Sequence, residues 1–204
     1  MIAHMDRSAF DILSRTYPQE ISFLKEDEPF RFLASVMLSA QTRDDYVNAV
    51  TPELWRCYPT PEDLSGARLE DIERIIHSLG FYRAKARNLK ALAGEVARLG
   101  RVPDTMEDLV RLPGVGRKTA NCYINHVLKE PAVIVDTHFS RVARRLGYTD
   151  ATDPGEVEMQ IRSSFPDSDW SRLSMVLNLH GRKYCHARNP ECGSCPVRDY
   201  CRSR

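Results

Sequence analysis

With 204 residues, 42% of them hydrophobic and 28% charged, the chain can bury a real core and form one or two domains. A formal net charge of +1 excludes a globally basic protein. No apolar run approaches the ~20 residues of a membrane span and no signal-peptide layout opens the chain, so a cytosolic protein is expected.

Periodicity is helical nearly everywhere, without convincing strand alternation, and predicts an all-α fold with short connections. Residues 6–15 form a first amphipathic segment through Phe10 and Leu13. After Pro29 a longer one follows Phe32, Leu33, Val36, Met37 and Ala40. Residues 44–58 continue through Tyr46, Val47, Val50, Leu54 and Trp55, interrupted at Pro52, with Asp44 as a helix N-cap. Ile72, Ile75, Ile76 and Leu79 make a stripe expected to stop at Gly80, and Leu89, Leu92, Ala93, Val96 and Leu99 repeat it up to Gly100. Thr105 and Asp108 form a capping pair that opens a short helix through Met106, Leu109, Val110 and Leu112.

The next stretch is Leu112-Pro113-Gly114-Val115-Gly116-Arg117-Lys118-Thr119-Ala120. Pro113 stiffens a turn, and two glycines two residues apart allow backbone angles that a side chain forbids. A helix follows along Ala120, Tyr123, Ile124, Val127 and Leu128. The N–H groups of Gly114, Val115 and Gly116 therefore lie at a helix N-terminus, a cradle for a phosphate. Arg117 and Lys118 sit in the first turn, beside the positive end of the helix dipole. Cations are misplaced there unless a partner or a reaction uses them. A plain turn between two helices with a solvated lysine is the bland alternative.

An apolar run from Ala132 to Val135 leads into Asp136, which fits an N-cap for a helix along Phe139, Val142, Ala143 and Leu146, closed by Gly147. Arg141, Arg144 and Arg145 lie off that face. Asp153-Pro154-Gly155-Glu156 is a capping box leading into Val157, Ile161 and Phe165. Trp170, Leu173, Val176, Leu177 and His180 mark the last long helix, expected to end at Gly181.

Charge is uneven along this order. Residues 1–30 carry three basic and six acidic side chains, whereas 117–145 and 182–204 each carry six basic against two acidic ones. Such clustering suits a polyanion on one face, and equally a set of solvated helix faces.

Four of the six cysteines crowd into seventeen residues as Cys185, Cys192, Cys195 and Cys201, spaced C-x6-C-x2-C-x5-C. Disulfides would close very small loops, so a metal site is the better account. Zinc sites of four cysteines usually pair two C-x2-C arms. The single such arm here favours iron–sulfur while leaving zinc open. Cys57 and Cys122 have no ligand-like neighbours and read as buried, inert thiols.

The Leu-Pro-Gly-Val-Gly-Arg-Lys-Thr-Ala stretch resembles the helix-hairpin-helix of the DNA-glycosylase superfamily, and its endonuclease III branch most closely. The cysteine spacing is similar to the [4Fe–4S] loop of that branch at every ligand. The resemblance covers about residues 30–204, with these two motifs in the expected order. The resemblance implies a two-lobed all-α fold. A six-helix barrel would cover 23–132, and 1–22 plus 133–204 would form an iron–sulfur cluster lobe, with double-stranded DNA between them. The implied activity is excision of oxidised pyrimidines followed by cleavage at the abasic site, by a monomer in a prokaryotic cytosol, at the nucleoid, with no membrane partner.

A base inside a duplex must be flipped out before its glycosidic bond is attacked. Lys118 is the implied nucleophile at the sugar C1′. Arg117, the helix N-terminus and desolvation by DNA all favour its neutral, reactive amine. Asp136 takes the family's catalytic carboxylate role, stabilising oxocarbenium character and moving protons. Gln41, in Ser39-Ala40-Gln41-Thr42-Arg43-Asp44, resembles the residue that fills the vacated stack. Phe81, in Gly80-Phe81-Tyr82, stands in the opposite wedge, where the family often has Leu. Gly114, Val115, Gly116, Arg141, Arg182 and Lys183 are the expected DNA-backbone contacts. Arg83, Lys85, Arg87, His186 and Arg188 add phosphate contacts or are simply solvated, and His138 fits a local hydrogen bond better than a phosphate. The cluster, its coordination completed by four cysteines, acts as a staple for the tail. Two rivals stand beside this assignment. An adenine or mismatch glycosylase of the same superfamily usually lacks the hairpin lysine. A non-catalytic module would bind abasic DNA without cutting it.

Overall fold

In the computed structural model, which describes residues 7–18 and 24–203, every regular element among the described residues is helical. Two compact units emerge, Ser22–Glu130 and Met1–Ile21 with Pro131–Arg204. The expected boundary between residues 22 and 23 lies outside the described residues.

The helix at the heart of the Ser22–Glu130 unit is α2 (Pro29–Leu38), which follows α1 (Ser8–Thr16) in the chain. Its sequence PFRFLASVML is apolar nearly all round, and all but Pro29 and Arg31 are buried. That pattern demands neighbours on every side. They are α3 (Asp44–Cys57), α6 (Tyr82–Leu99) and α8 (Arg117–His126), while α4 (Pro61–Gly66) and α5 (Leu69–Ile75) cover α6, and the single turn α7 (Met106–Leu109) leads into α8. Glu28 caps α2, accepting from Phe30 N–H at 3.1 Å and Arg31 N–H at 2.8 Å.

Several sequence expectations are corrected here. Ala40 lies beyond the end of α2 and is exposed. Asp44 is the first residue of α3, whose N-cap is Arg43, so its carboxylate favours the helix dipole without capping it. Pro52 does not interrupt α3. The proline faces solvent while Val47, Thr51, Leu54 and Trp55 hold the helix down. The stripe from Ile72 ends as a helix at Ile75, and Ile76 and Leu79 are buried from a turn closed by Leu79 N–H on Ile76 O at 2.9 Å. The left-handed residue of that turn is Phe81, with φ 59°, not Gly80. Cys57 is exposed and Cys122 half-buried, so neither is a core thiol.

In the other unit, α11 (Asp167–Lys183) is the spine against which α1, α9 (Thr137–Leu146) and α10 (Pro154–Ser164) pack. Phe10, Leu13, Phe139, Val142, Leu173 and Leu177 form its core. Asp153 caps α10 through Gly155 and Glu156 N–H, as the capping box predicts, and Gly147 closes α9 with φ 80°. Gly181, expected to end the last helix, lies inside it. The helix runs on to Lys183 because Gly181 is a packing residue. A Cβ there would stand 2.7 Å from His138 Cβ, and its absence lets the start of α9 lie against α11. Alanine is the better helix former by roughly 0.5–1 kcal/mol, but overpacking costs about 1–3 kcal/mol. Gly181→Ala is therefore expected to lower the urea midpoint, and a midpoint at or above wild type would contradict this account.

Candidate functional site

The hairpin is built from its caps inward. Thr105 Oγ1 accepts from Asp108 N–H at 3.2 Å and opens α7. The chain then turns tightly, with Leu112 N–H on Leu109 O and Val115 N–H on Leu112 O, each at 3.1 Å. Leu112 and Val115 are buried and fasten the loop. Val115 thus anchors through its side chain, leaving only its backbone for a phosphate. Gly114 is required twice over: its φ is 75°, and a Cβ would stand 2.7 Å from Met37 Sδ and 3.0 Å from Asn88 Cβ. Gly116, by contrast, has an ordinary φ of −96° and serves as an N-cap that brings no side chain. So α8 starts without a side-chain cap from its N-cap residue, and Lys118 stands exposed in that first turn.

Two further exposed residues of the same unit, Gln41 (φ 53°) and Phe81 (φ 59°), adopt the left-handed conformation that side chains disfavour. Phe81 is 70% exposed, an apolar ring held in solvent. Among the cations expected on DNA or in solvent, Lys85 is corrected: it is buried, with Nζ donating to Thr42 Oγ1 at 2.5 Å.

In the other unit Asp136 caps α9, its Oδ1 accepting from Phe139 N–H at 2.7 Å. Its Oδ2 accepts from Asn178 Nδ2 on α11. Sequence reasoning missed Asn178, whose one signal is a polar residue between Leu177 and Leu179. Arg141, expected on the DNA backbone, is half-buried and tied within its own unit. Its guanidinium donates to Cys185 O at 2.8 Å and Gly181 O at 3.0 Å, and meets His138 Nδ1 at 3.0 Å. His138 thereby has the local hydrogen bond expected of it. Arg182 and Lys183 are exposed in the last turn of α11, where cations suit the dipole with or without DNA.

Cys185, Cys192, Cys195 and Cys201 line one cavity of about 330 Å³, walled by Val142, Leu146 and Val197. The site suits an anionic cluster of four thiolates. Arg145 Nη1 stands 3.1 Å from Cys185 Sγ, and the same guanidinium donates to His186 O at 2.8 Å. Burial pushes the His180 imidazole down to about 4, so it is neutral at neutral pH. Tyr17 Oη lies 3.1 Å from its Nδ1, and its Nε2 faces Cys195 Sγ at 3.5 Å. Burial raises the Tyr17 hydroxyl well above its ordinary value, keeping it a donor. With Tyr17 donating to Nδ1, the imidazole presents Nε2–H to the Cys195 sulfur.

Residues 34–167 match the HhH-GPD superfamily of base excision DNA repair proteins, and 185–201 match the iron–sulfur binding domain of endonuclease III. Endonuclease III of Synechocystis sp. is 41% identical over 94% of this chain and 89% of its own length. That of Bacillus subtilis is 39% identical over the same shares. Among solved structures, an endonuclease III trapped as a covalent intermediate with DNA superposes with a TM-score of 0.91 at 39% identity, covering 96% of this chain and 93% of that one. A thermostable thymine-DNA glycosylase, 23% identical with a TM-score of 0.82 over 95% of this chain and 93% of its own, shares the fold. The chain accordingly carries a [4Fe–4S] cluster, in the iron–sulfur domain at residues 185–201 where the four cysteines lie. Cys192→Ser is expected to lose the brown iron–sulfur absorbance and to bind less iron and sulfide. Colourless wild-type protein with stoichiometric zinc would overturn the cluster assignment.

Proposed function

The chain belongs to the endonuclease III family of the HhH-GPD base excision DNA repair proteins, and on that premise we propose that Lys118 is the nucleophile that opens the glycosidic bond. The protein is a base excision DNA glycosylase with abasic-site lyase activity, and it binds DNA. What carries the assignment of Lys118 is its exposed amine in the first turn of a helix whose N-cap has no side chain. A backbone phosphate drawn to those N–H groups brings the adjoining sugar to the amine.

The substrate class is double-stranded DNA carrying an oxidised pyrimidine or an abasic site. The damaged base leaves the stack, and Gln41 and Phe81 occupy the space on the duplex side. Neutral Lys118 Nζ attacks C1′, and the glycosidic bond breaks with its electron pair going to the departing base, which takes up a proton. The attached amine then loses one proton, and the C1′–O4′ bond breaks with its electron pair going to O4′, which takes up a proton, so that the sugar ring opens and an iminium forms between Nζ and C1′. Removal of a C2′ proton pushes electrons toward C3′ and expels the 3′ phosphate, and water finally releases Lys118 from the sugar. Asp136 moves protons and stabilises positive charge on the sugar, with Asn178 and the Phe139 N–H fixing its two oxygens. The cluster, when bound, supplies a four-cysteine crosslink for the tail; four ligands leave no open position for substrate. Nucleophile, wedge and cluster all come from one chain, so a monomer suffices for this reading. Its named relatives are bacterial, and its DNA is that of a bacterial cytoplasm.

Borohydride trapping on a duplex with one abasic site tests the chemistry. Wild type is expected to form a covalent adduct and Lys118→Gln none, although both bind the duplex. An equal adduct from the variant would remove Lys118 from its role. Asn178→Ala is expected to lower kcat about tenfold with little change in KM, because the Asp136 carboxylate loses one of its two fixed contacts. An unchanged kcat would show that Asn178 does not position it.

A further inference from the structure

Lys85 is 7% exposed, and among the described residues no carboxylate pairs with it. A lysine in that setting normally reaches water, and here burial draws its pKa below the usual range. What it reaches is Thr42 Oγ1, at 2.5 Å, one residue after Gln41. Its backbone N–H donates to Phe81 O at 3.1 Å. The two loops also touch directly, since a Cβ at Gly80 would stand 3.8 Å from both Gln41 O and Thr42 Oγ1. The backbone bond is the first of α6 and sets Lys85 one turn after Phe81, and the side chain then ties that turn to Thr42, the neighbour of Gln41.

We propose that Lys85 is a positioning residue for base extrusion, its buried ammonium clamping the Gln41 loop to the Phe81 loop so that the two side chains enter the duplex as one rigid wedge. This rests on the assignment of Gln41 and Phe81 as the wedge. Each of those residues holds a strained left-handed backbone conformation, and such conformations persist only where surrounding contacts over-determine them. The Lys85–Thr42 bond is such a contact. The bond is part-buried, so water competes for it less than it would at an open surface. An intact damaged base must be pushed out of the stack, whereas an abasic site has no base to extrude. The clamp therefore matters to the first substrate far more than to the second.

Lys85→Met keeps the length and apolar stem of the side chain and removes the donor. On a duplex with one 5-hydroxycytosine beside a 2-aminopurine, single-turnover excision and the unstacking fluorescence are expected to fall roughly tenfold. Nicking of a preformed abasic site should stay within about twofold. Thr42→Val, which removes the acceptor, should match it, and the double variant should be no worse than either, as for two ends of one contact. Lys85→Arg, which retains a donor, should recover part of the signal. Equal losses on both substrates, or additive losses in the double variant, would overturn the clamp. Gln41→Ala and Phe81→Ala run alongside. If they lose excision and Lys85→Met does not, the clamp fails and the wedge stands; if neither loses excision, the wedge fails and the clamp with it.

Discussion

A helix that begins without a side-chain acceptor leaves its first N–H groups to whatever anion approaches, and α8 is built to begin that way. Gly116 provides the cap position and nothing to fill it, while Gly114 takes the left-handed turn and packs its bare Cα against Met37 and Asn88. Any side chain at 114 would push the hairpin off α2 and α6. Leu112 and Val115 complete the fixation from the apolar side. The same chain treats α9 in the opposite way, closing its N-terminus with the Asp136 carboxylate. One helix start has no side-chain cap, and the other is sealed by the carboxylate for which we propose a part in the chemistry. Lys118 lies at the positive end of the α8 dipole, where an approaching phosphate would offset the repulsion.

The other unit turns its cations inward. Arg141 and Arg145 project from α9 toward the loop after α11 and bond to its carbonyls, and Arg172 donates to Tyr17 O at 2.9 Å. This tail has little apolar surface to bury, and single 3-10 turns at Cys192–Ser194 and Arg198–Tyr200 are the regular structure among its described residues. Carbonyls that no helix satisfies need donors, and guanidinium groups supply several in fixed geometry. A four-cysteine ligand set then cross-links what the arginines have aligned. The basic excess at 117–145 is thus divided in purpose: part of it holds the tail, and only the exposed remainder is available to DNA.

How much of this was legible in the sequence depends on whether local chemistry decided the outcome. Gly100 and Gly147 stop their helices as expected, and the Thr105, Asp136 and Asp153 caps form as expected, because each involves residues within one turn. Gly181 misleads because packing overrides propensity, and only the proximity of His138 explains it. Ile72 to Leu79 kept its burial but not its helix, since burial needs only that the side chains point inward. Cys57 and Cys122 were misjudged on composition alone. Arg141, Lys85 and Asn178 were beyond reach for one reason. Each is defined by a partner about 40 or more residues away in sequence, and periodicity carries no information about which helix faces which.

Backbone strain helps to sort what periodicity cannot. Gln41, Phe81, Lys129 and Asn189 are the non-glycine residues with positive φ among the described residues. Asn adopts that conformation readily, so Asn189 in the cysteine loop requires no special explanation. Lys129 follows the end of α8, where chains commonly reverse through the left-handed region. Gln41 and Phe81 have neither excuse. Glycine at either place would relieve the strain, and for Phe81 would also remove an apolar ring that is 70% exposed. A chain that keeps both penalties on two touching loops is presenting those side chains, and stacked bases are the surface on which an exposed aromatic ring recovers its cost.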